Sequence, residues 1–217
     1  MQAAAVSVTS LSKGTAPAPT PMDADSNEID LAAPFEAPAF AAAGQVNSGD
    51  EAAARGTATH LVMQYLDLSL PPERVKGQIQ QMSSDGLLSP HQAALVDEAD
   101  IVWFLETPIG QSLRTDCAQV HRELPFLDAL TPQGHATAIG MDRVMVRGRI
   151  DVAVSHPDGW HIIDYKTDRT CPEPGDERFQ AYQKQVSLYR GAIERSGLGK
   201  VANVRLVFLR ARQILEM

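Results

Sequence analysis

Two acidic residues and a lysine stand on what reads as one tight hairpin, GRIDVAVSHPDGWHIIDYKTDR, residues 148–169. Asp151 and Asp164 lie thirteen residues apart on either side of His-Pro-Asp-Gly, an order typical of a type I turn that closes a hairpin. Antiparallel pairing brings residues equidistant from such a turn together. Lys166 follows Asp164 by two residues, so both side chains are expected on one strand face. We therefore predict that the three side chains converge.

This combination of charges indicates a metal-assisted hydrolysis. Two carboxylates are costly to bury together unless cations neutralise them. Lys166 supplies one positive charge, and a divalent ion would supply the rest. A few oxygen ligands suit Mg²⁺, with Mn²⁺ as a substitute, and such ions keep waters for substrate phosphates. With Lys166 orienting a water and offsetting transition-state charge, the predicted chemistry is phosphodiester hydrolysis. On spacing alone, a surface hairpin carrying a salt bridge is the commoner explanation.

Helices that would position this hairpin are predicted from apolar periodicity and capping signals. The first begins near Asp50 and carries His60 on its polar face. The second begins after Ser89, which opens a predicted capping box, and runs to about Glu106, before a short helix capped by Thr107. The last helix has apolar residues at spacings of 3, 4, 3 and 4: Phe179, Tyr182, Val186, Tyr189 and Ile193.

Strands are predicted in four segments rich in β-branched residues: AQVHRELPFLDAL, ATAIGMDRVMVRGRIDVAVS, GWHIIDYKTD and NVRLVFLRA. Helices followed by three strands, a helix and a final strand predict an α/β fold, with a mixed β-sheet flanked by helices. This domain is expected over residues 49–217. Residues 1–48, rich in Ala, Pro, Ser and Asp, are expected to be a flexible linker or a disordered tail, and composition does not separate the two.

The charge distribution leaves DNA open as a partner despite a net charge of −8. Residues 1–49 hold five acidic residues and one basic residue, whereas residues 165–217 hold ten Lys or Arg against six Asp or Glu. A polyanion responds to the local field of the second segment, screened beyond about 10 Å. No apolar run is long enough for a membrane span, and no signal peptide is recognisable. Two distant cysteines suit a reducing cytoplasm.

Four motifs occur in order along the chain: RGTATH, GRID, IIDYKTD and YQKQVSLY. Together they resemble the PD-(D/E)XK nuclease domain of the RecB-like family, which has a restriction-endonuclease-like core. The chain is most similar to the C-terminal nuclease domain of AddA-type helicase–nucleases, and HRELPF and LVFLRARQI also look like AddA-type chains. The resemblance covers residues 50–215.

The resemblance implies a role for each matching residue of the hairpin. Asp151, Asp164 and Lys166 would be catalytic. His60, Asp151, Asp164 and the backbone carbonyl of Tyr165 would bind the metal. Taken alone, His60 is more often a half-exposed helix histidine, and only its motif favours a ligand.

The resemblance also implies contacts with DNA. Gln185 and Tyr189 match the helix motif that lies beside the active site and helps to hold the DNA backbone. Tyr189 also fits the apolar stripe as a core residue. Arg169 is a candidate phosphate contact at the end of its strand. Glu123 is expected to be an exposed strand acid, with a role beside the metal ligands as the alternative.

The implied activity is that of a Mg²⁺-dependent deoxyribonuclease, an exonuclease or end-processing enzyme of double-strand break repair and recombination. The implied partners are DNA, a helicase domain in the same or a longer chain, and an AddB-type subunit, without a membrane. This sequence has no Gly-x-x-x-x-Gly-Lys-[Ser/Thr] motif, so no ATP site is expected in it. Two cysteines cannot supply the four that hold an iron–sulfur cluster in related domains. The alternatives are a free-standing RecB-like nuclease, a catalytically silent DNA-end-binding module, and an assembly domain.

Overall fold

The computed structural model describes residues 5–7, 48–115, 119–130 and 144–217. The helices are α1 (Ser48–Tyr65), α2 (Val75–Ser84), α3 (Pro90–Leu95), α4 (Glu98–Glu106), α5 (Pro108–Thr115) and α6 (Glu177–Arg195), with a 3-10 turn at Pro72–Arg74. The strands are β1 (Ala5–Ser7), β2 (Val120–Leu130), β3 (Val144–His156), β4 (Gly159–Lys166), β5 (Val201–Phe208) and β6 (Gln213–Glu216). Within these residues, no helix is both long and apolar enough to cross a membrane.

The strands form one mixed sheet in the order β2-β3-β4-β5-β6, with the short β1 parallel to β3. β4 and β5 are parallel, and the other neighbours along this order are antiparallel. The expected mixed sheet flanked by helices is confirmed. Of the expected linker or tail, residues 1–48, the structure describes β1 and the first residue of α1, and the remainder lies outside the described residues. The first part of the second predicted strand segment, up to residue 143, also lies outside them.

The predicted hairpin is present as β3 and β4, joined by a two-residue loop. His156 pairs with Gly159, and the ladder continues to Val152 opposite Ile163. Asp151 and Asp164 are the next residues on the two strands, so they face each other as expected. Gly159 has a φ of 133°, and a Cβ there would lie 2.8 Å from the backbone oxygen of Lys200. This position therefore requires glycine, which fixes where the hairpin turns.

Helices bury both faces of the sheet. One face packs against α1, α2, α4 and α5; its sheet residues are Val152, Ile163, Tyr165 and Val207. The opposite face packs against α6; its sheet residues include Ile150, Ile162, Leu206 and Phe208. Because side chains alternate along β4, Asp164 faces α6, on the same side as Ile162.

The α6 periodicity and the Ser89 cap are confirmed. Four of the five predicted apolar positions of α6 are buried, and Phe179 is half-buried. Ser89 Oγ accepts a hydrogen bond from the Gln92 amide, and Gln92 Oε1 accepts one from the Ser89 amide. Thr107 Oγ1 accepts from the Gly110 amide, as expected of a cap.

Two details of the helical half differ from prediction. The helix expected from Ser89 to Glu106 is divided, because Val96 is extended and the Asp97 side chain caps α4 by accepting from the Ala99 amide. The helix α2 was not predicted. It buries Val75, Ile79 and Met82 against the core, while the rest of its surface is polar.

Candidate active site

Strand β4 supplies the centre of the site through Asp164, Tyr165 and Lys166. Asp164 is only 1% exposed. Lys166 Nζ lies 2.7 Å from Asp164 Oδ2, which confirms that the two side chains share a strand face. The ammonium also donates a hydrogen bond to Gln185 Oε1 at 2.8 Å. The lysine is therefore held between its own strand and α6.

Asp151 joins this strand to helix α1. Its Oδ2 accepts a hydrogen bond of 2.7 Å from the Tyr165 amide, and its Oδ1 lies 3.4 Å from His60 Nδ1. Tyr165 points to the opposite face, where its ring meets the edges of His60 and Phe104. The predicted metal ligands from α1, β3 and β4 are thus brought together.

Helix α6 closes a ring of hydrogen bonds around the catalytic side chains. Lys166 donates to Gln185 Oε1, and Gln185 Nε2 donates to the Tyr189 hydroxyl at 2.8 Å. That hydroxyl donates to Asp164 Oδ1, also at 2.8 Å. Asp164 Oδ2 completes the ring through its ion pair with Lys166. The two residues expected to hold DNA are therefore engaged with Asp164 and Lys166.

A second group of α6 contacts supports Lys166 from its other side. The ammonium lies 4.6 Å from the centre of the Tyr182 ring, within the range of a cation–π interaction. The Tyr182 hydroxyl donates to Asp168 Oδ2 at 2.9 Å. Arg178 lies 3.7 Å from the other oxygen of Asp168. These contacts, which sequence reasoning missed, restrict where the lysine can point.

Glu123 is a further member of the site, and the expectation of an exposed strand acid is wrong. Its side chain is only 19% exposed. Ligand atoms of His60, Glu123 and Asp151 all lie within 4.8 Å of one another. Glu123 has a φ of 52°, which turns the chain within β2 where it passes Asp151. The connection between β2 and β3 falls at residues 131–143, so no short turn could reveal this register from sequence.

A sequence profile of the PD-(D/E)XK nuclease superfamily matches residues 39–216, most of the chain. The chain belongs to this superfamily. In its terms, Asp151 is the first acidic residue, and Asp164, Tyr165 and Lys166 form the acidic-x-Lys signature. The match and the geometry agree on the same three side chains.

Several relatives bear the name of an ATP-dependent helicase/nuclease, of which each is one component. The one from Moorella thermoacetica is 41% identical over 172 residues, which cover 76% of this chain and 12% of the relative. The one from Limosilactobacillus fermentum is 34% identical over 195 residues, which cover 84% of this chain and 14% of the relative. The chain thus spans about an eighth of the length of these relatives. It also aligns with the solved structure of SSO0001 at 16% identity and a TM-score of 0.36, over 74% of this chain and 64% of that one.

Burial and charge act unequally on the acidic groups of this PD-(D/E)XK domain. Burial raises the pKa of Asp164 more than Lys166 lowers it. For Asp151 burial acts in the same direction, but His60, the Tyr165 amide and Lys166 outweigh it and lower its pKa. Burial opposes a charge on His60, yet Asp151 and Asp164 raise its pKa to about 9. Glu123 has a raised pKa through burial and the neighbouring Asp151. The site therefore carries more buried carboxylate than its own cations fully stabilise.

The donors fit a divalent metal ion. Asp164 Oδ2 is buried and accepts no hydrogen bond of suitable geometry from the described residues, although Lys166 lies close enough for an ion pair. Such an oxygen retains lone pairs for a cation. Carboxylate oxygens suit Mg²⁺ and Mn²⁺, and an imidazole in the same set favours Mn²⁺ relative to an all-oxygen site.

Arg169 stands apart from this cluster. It is exposed, three residues beyond Lys166, and no hydrogen bond or ion pair to another described residue holds it. Its position neither supports nor opposes the predicted phosphate contact.

Proposed function

We propose that this chain is a metal-dependent deoxyribonuclease domain that hydrolyses phosphodiester bonds at DNA ends. The observation that carries the proposal is the convergence of Asp151, Asp164 and Lys166, the last two inside one ring of hydrogen bonds. A catalytically silent DNA-end-binding module would not require a buried carboxylate pair beside a lysine, which is costly to fold.

His60, Asp151, Asp164 and the carbonyl of Tyr165 would hold the metal ion, with Glu123 beside them. We propose Mg²⁺ as this ion and Mn²⁺ as its substitute. When bound, the ion lowers the pKa of a water and neutralises charge on the phosphate. A metal can bind His60 only after the imidazole loses its proton.

The chain's own residues orient the reaction. In the hydrolysis a water oxygen forms a bond to phosphorus, the bond to the leaving oxygen breaks, and that oxygen takes up a proton. The Lys166 ammonium, aimed by Gln185 and Tyr182, would orient the water and offset the negative charge that builds on the phosphate oxygens. Tyr189 would keep Asp164 in one rotamer. Burial raises the pKa of Tyr189, so its hydroxyl keeps the proton that it donates.

DNA binding is proposed to be weak in the chain alone. Arg169 is exposed and available for a phosphate, and Gln185 is half-buried beside Lys166. Tyr189 is 2% exposed, so we assign it an indirect effect on DNA through Asp164 and Gln185. Several bases of the C-terminal stretch are already engaged in ion pairs: Arg178, Arg195, Arg205 and Arg212. Cleavage should therefore fall sharply as salt rises.

We propose that a helicase delivers the substrate. Relatives that cover this chain are named as parts of a helicase/nuclease, and the chain spans only a small part of their length. A tethered helicase would raise the local concentration of DNA at the nuclease. A cytoplasmic location, a role in double-strand break repair and a partner of the AddB type complete this proposal, with a free-standing nuclease as the alternative.

Cleavage of end-labelled single-stranded DNA tests the proposal. The purified chain is compared in Mg²⁺, Mn²⁺ and EDTA, together with Asp164→Asn and with the control Asp85→Asn. Asp85 is an exposed residue at the end of α2, so its substitution should not change cleavage. Cutting should require the metal and should be lost in Asp164→Asn.

Cutting that persists in EDTA, or in Asp164→Asn, would refute the assigned chemistry. Calorimetric titration with Mn²⁺ separates the remaining outcomes. Metal and DNA binding without cutting would favour the silent DNA-end-binding module, or a domain that needs its helicase. Addition of the helicase-containing protein then distinguishes these two.

A further inference from the structure

Two histidines and an aspartate converge at the tip of the β3–β4 hairpin, away from the active site. Asp158 Oδ1 lies 2.5 Å from His156 Nδ1 and 2.9 Å from His161 Nε2. The two imidazole rings have their centroids 4.8 Å apart. One ligand atom from each residue lies within 4.8 Å of the other two.

The tight turn is what brings these three side chains together. His161 pairs with Val154, and His156 pairs with Gly159, so the two histidines are diagonal neighbours on one face of the hairpin. Asp158 belongs to the loop and reaches back over the same face. All three ligands come from six consecutive residues of a fixed turn, so little chain ordering would be needed to bind an ion.

This cluster is separate from the nuclease centre. His161 precedes Asp164 by three residues on β4, a separation of about 10 Å along a strand. It lies on the face that packs against α5, because Val154 and Ile163 share that face, whereas Asp164 faces α6. None of the three residues contributes to the ring of hydrogen bonds around Lys166.

We propose that His156, Asp158 and His161 form a second metal site, which binds a borderline transition-metal ion, Zn²⁺ in the first instance. Two imidazoles and one carboxylate are a donor set typical of Zn²⁺, whereas Mg²⁺ prefers oxygen ligands throughout. Three protein ligands leave further coordination positions for water. The histidines are exposed or half-buried, so an ion can reach them from solvent.

The surroundings are compatible with an added cation. His156 and His161 line a cavity of about 450 Å³ together with Pro108, Ile109 and Arg205. Arg205 is the positive group in this cavity, but its Nε donates to Glu216 at 2.8 Å. An ion bound here would cross-link β3 to β4, the two strands that carry Asp151 and Asp164. Its expected effect is to stabilise the hairpin.

Residue-specific NMR of the imidazoles tests this site in the unaltered chain. The sequence has six histidines, and Zn²⁺ would be titrated while the nitrogen signals of each are followed. His156 and His161 should shift together and saturate near one equivalent per site, whereas His91, exposed on α3, should not move. Unmoved His156 and His161 signals at saturating Zn²⁺ would overturn the proposal. Signals from His60 report the nuclease centre separately.

Calorimetry with Asp158→Asn provides the second measurement. Asp158 is exposed in the loop, so the variant should fold, and asparagine is also accepted in turns. Loss of this ligand should weaken Zn²⁺ binding at the hairpin by at least about tenfold, a typical effect even for outer-shell residues. The control Asp85→Asn should bind as the unaltered chain does. Equal hairpin affinity in Asp158→Asn would also overturn the proposal.

Discussion

Replacement of Tyr189 by phenylalanine separates a role in positioning from a role in binding DNA. The residue is 2% exposed. Its hydroxyl donates to Asp164 Oδ1 and accepts from Gln185, each at 2.8 Å. Phenylalanine keeps the ring, which meets Phe126 edge to face with centroids 5.9 Å apart. The substitution therefore removes two hydrogen bonds and leaves the packing unchanged.

The expected loss of stability follows from the bond to Asp164. A hydrogen bond to a charged group contributes about 1.5–3 kcal/mol. The Gln185 amide is half-buried, so water can replace its lost partner at little cost. For a domain of this size each kcal/mol corresponds to about 2–4 °C, so the Tm of Tyr189→Phe should fall by about 3–12 °C.

The expected loss of activity follows from the opened ring. Without the hydroxyl, Asp164 and Gln185 are no longer linked, and the orientation of both Asp164 and Lys166 is loosened. Outer-shell residues that hold metal ligands typically contribute 10–100-fold to activity or metal affinity. We expect single-turnover cleavage at saturating DNA to slow by about that factor, while the Kd for DNA stays unchanged.

The assay combines cleavage of labelled single-stranded DNA in Mg²⁺ with fluorescence anisotropy in its absence. Tyr65→Phe is the matched control, because Tyr65 is 51% exposed and should lose neither stability nor activity. A normal rate at saturating DNA, with weakened DNA affinity, would refute the positioning role and support direct contact with the DNA backbone. Normal values of both would show that the ring of hydrogen bonds has no function.

Three further substitutions test the packing and the charges, each by chemical denaturation. Gly110→Ala should destabilise the protein by about 2–4 kcal/mol, because its Cβ would overlap the backbone oxygen of Phe104. Gly77→Ala should stabilise it by about 0.5–1 kcal/mol, since this helical glycine has open space around it. Asp128→Asn should cost about 1–2 kcal/mol and leave cleavage unchanged, because the buried carboxylate accepts a hydrogen bond of 2.8 Å from Arg195 Nε. Arg195 holds the pKa of Asp128 below its usual 3.8, so this contribution is present above pH 3.8 and is lost as the pH falls through the lower folded pKa. A pH-independent difference between Asp128→Asn and the unaltered chain over that range would contradict this assignment.

Local signals in the sequence located much of the fold. The spacing of Tyr182, Val186 and Tyr189 predicted which face of α6 is buried, and Ser89 predicted a capping box that is present. Such signals act within a few residues, where backbone geometry alone decides the outcome. The helix α2 escaped notice because it is short and buries few apolar residues, and Gly77 lowers its helix propensity.

The parts of the site that depend on long-range pairing were harder to predict. The juxtaposition of Asp151 and Asp164 could be predicted because a tight turn sets their register. Glu123 could not be placed, since no short turn sets the register of β2 on β3. The contacts of Gln185 and Tyr189 with the catalytic residues depend on how α6 lies across the sheet, which periodicity does not determine. The resemblance supplied the motif but not which partner each side chain contacts.

The turn at Pro157 and Asp158 determines the catalytic geometry from the far end of the hairpin. A slip of one residue between β3 and β4 would move every side chain of one strand to the opposite face. Asp151 would then lose the Tyr165 amide and no longer face Asp164. Two features oppose such a slip, namely the φ of 133° at Gly159 and the complete burial of Val152 and Ile163. The register that assembles the carboxylate pair is therefore fixed by residues that take no part in the chemistry, and a metal ion bound at the turn would reinforce it.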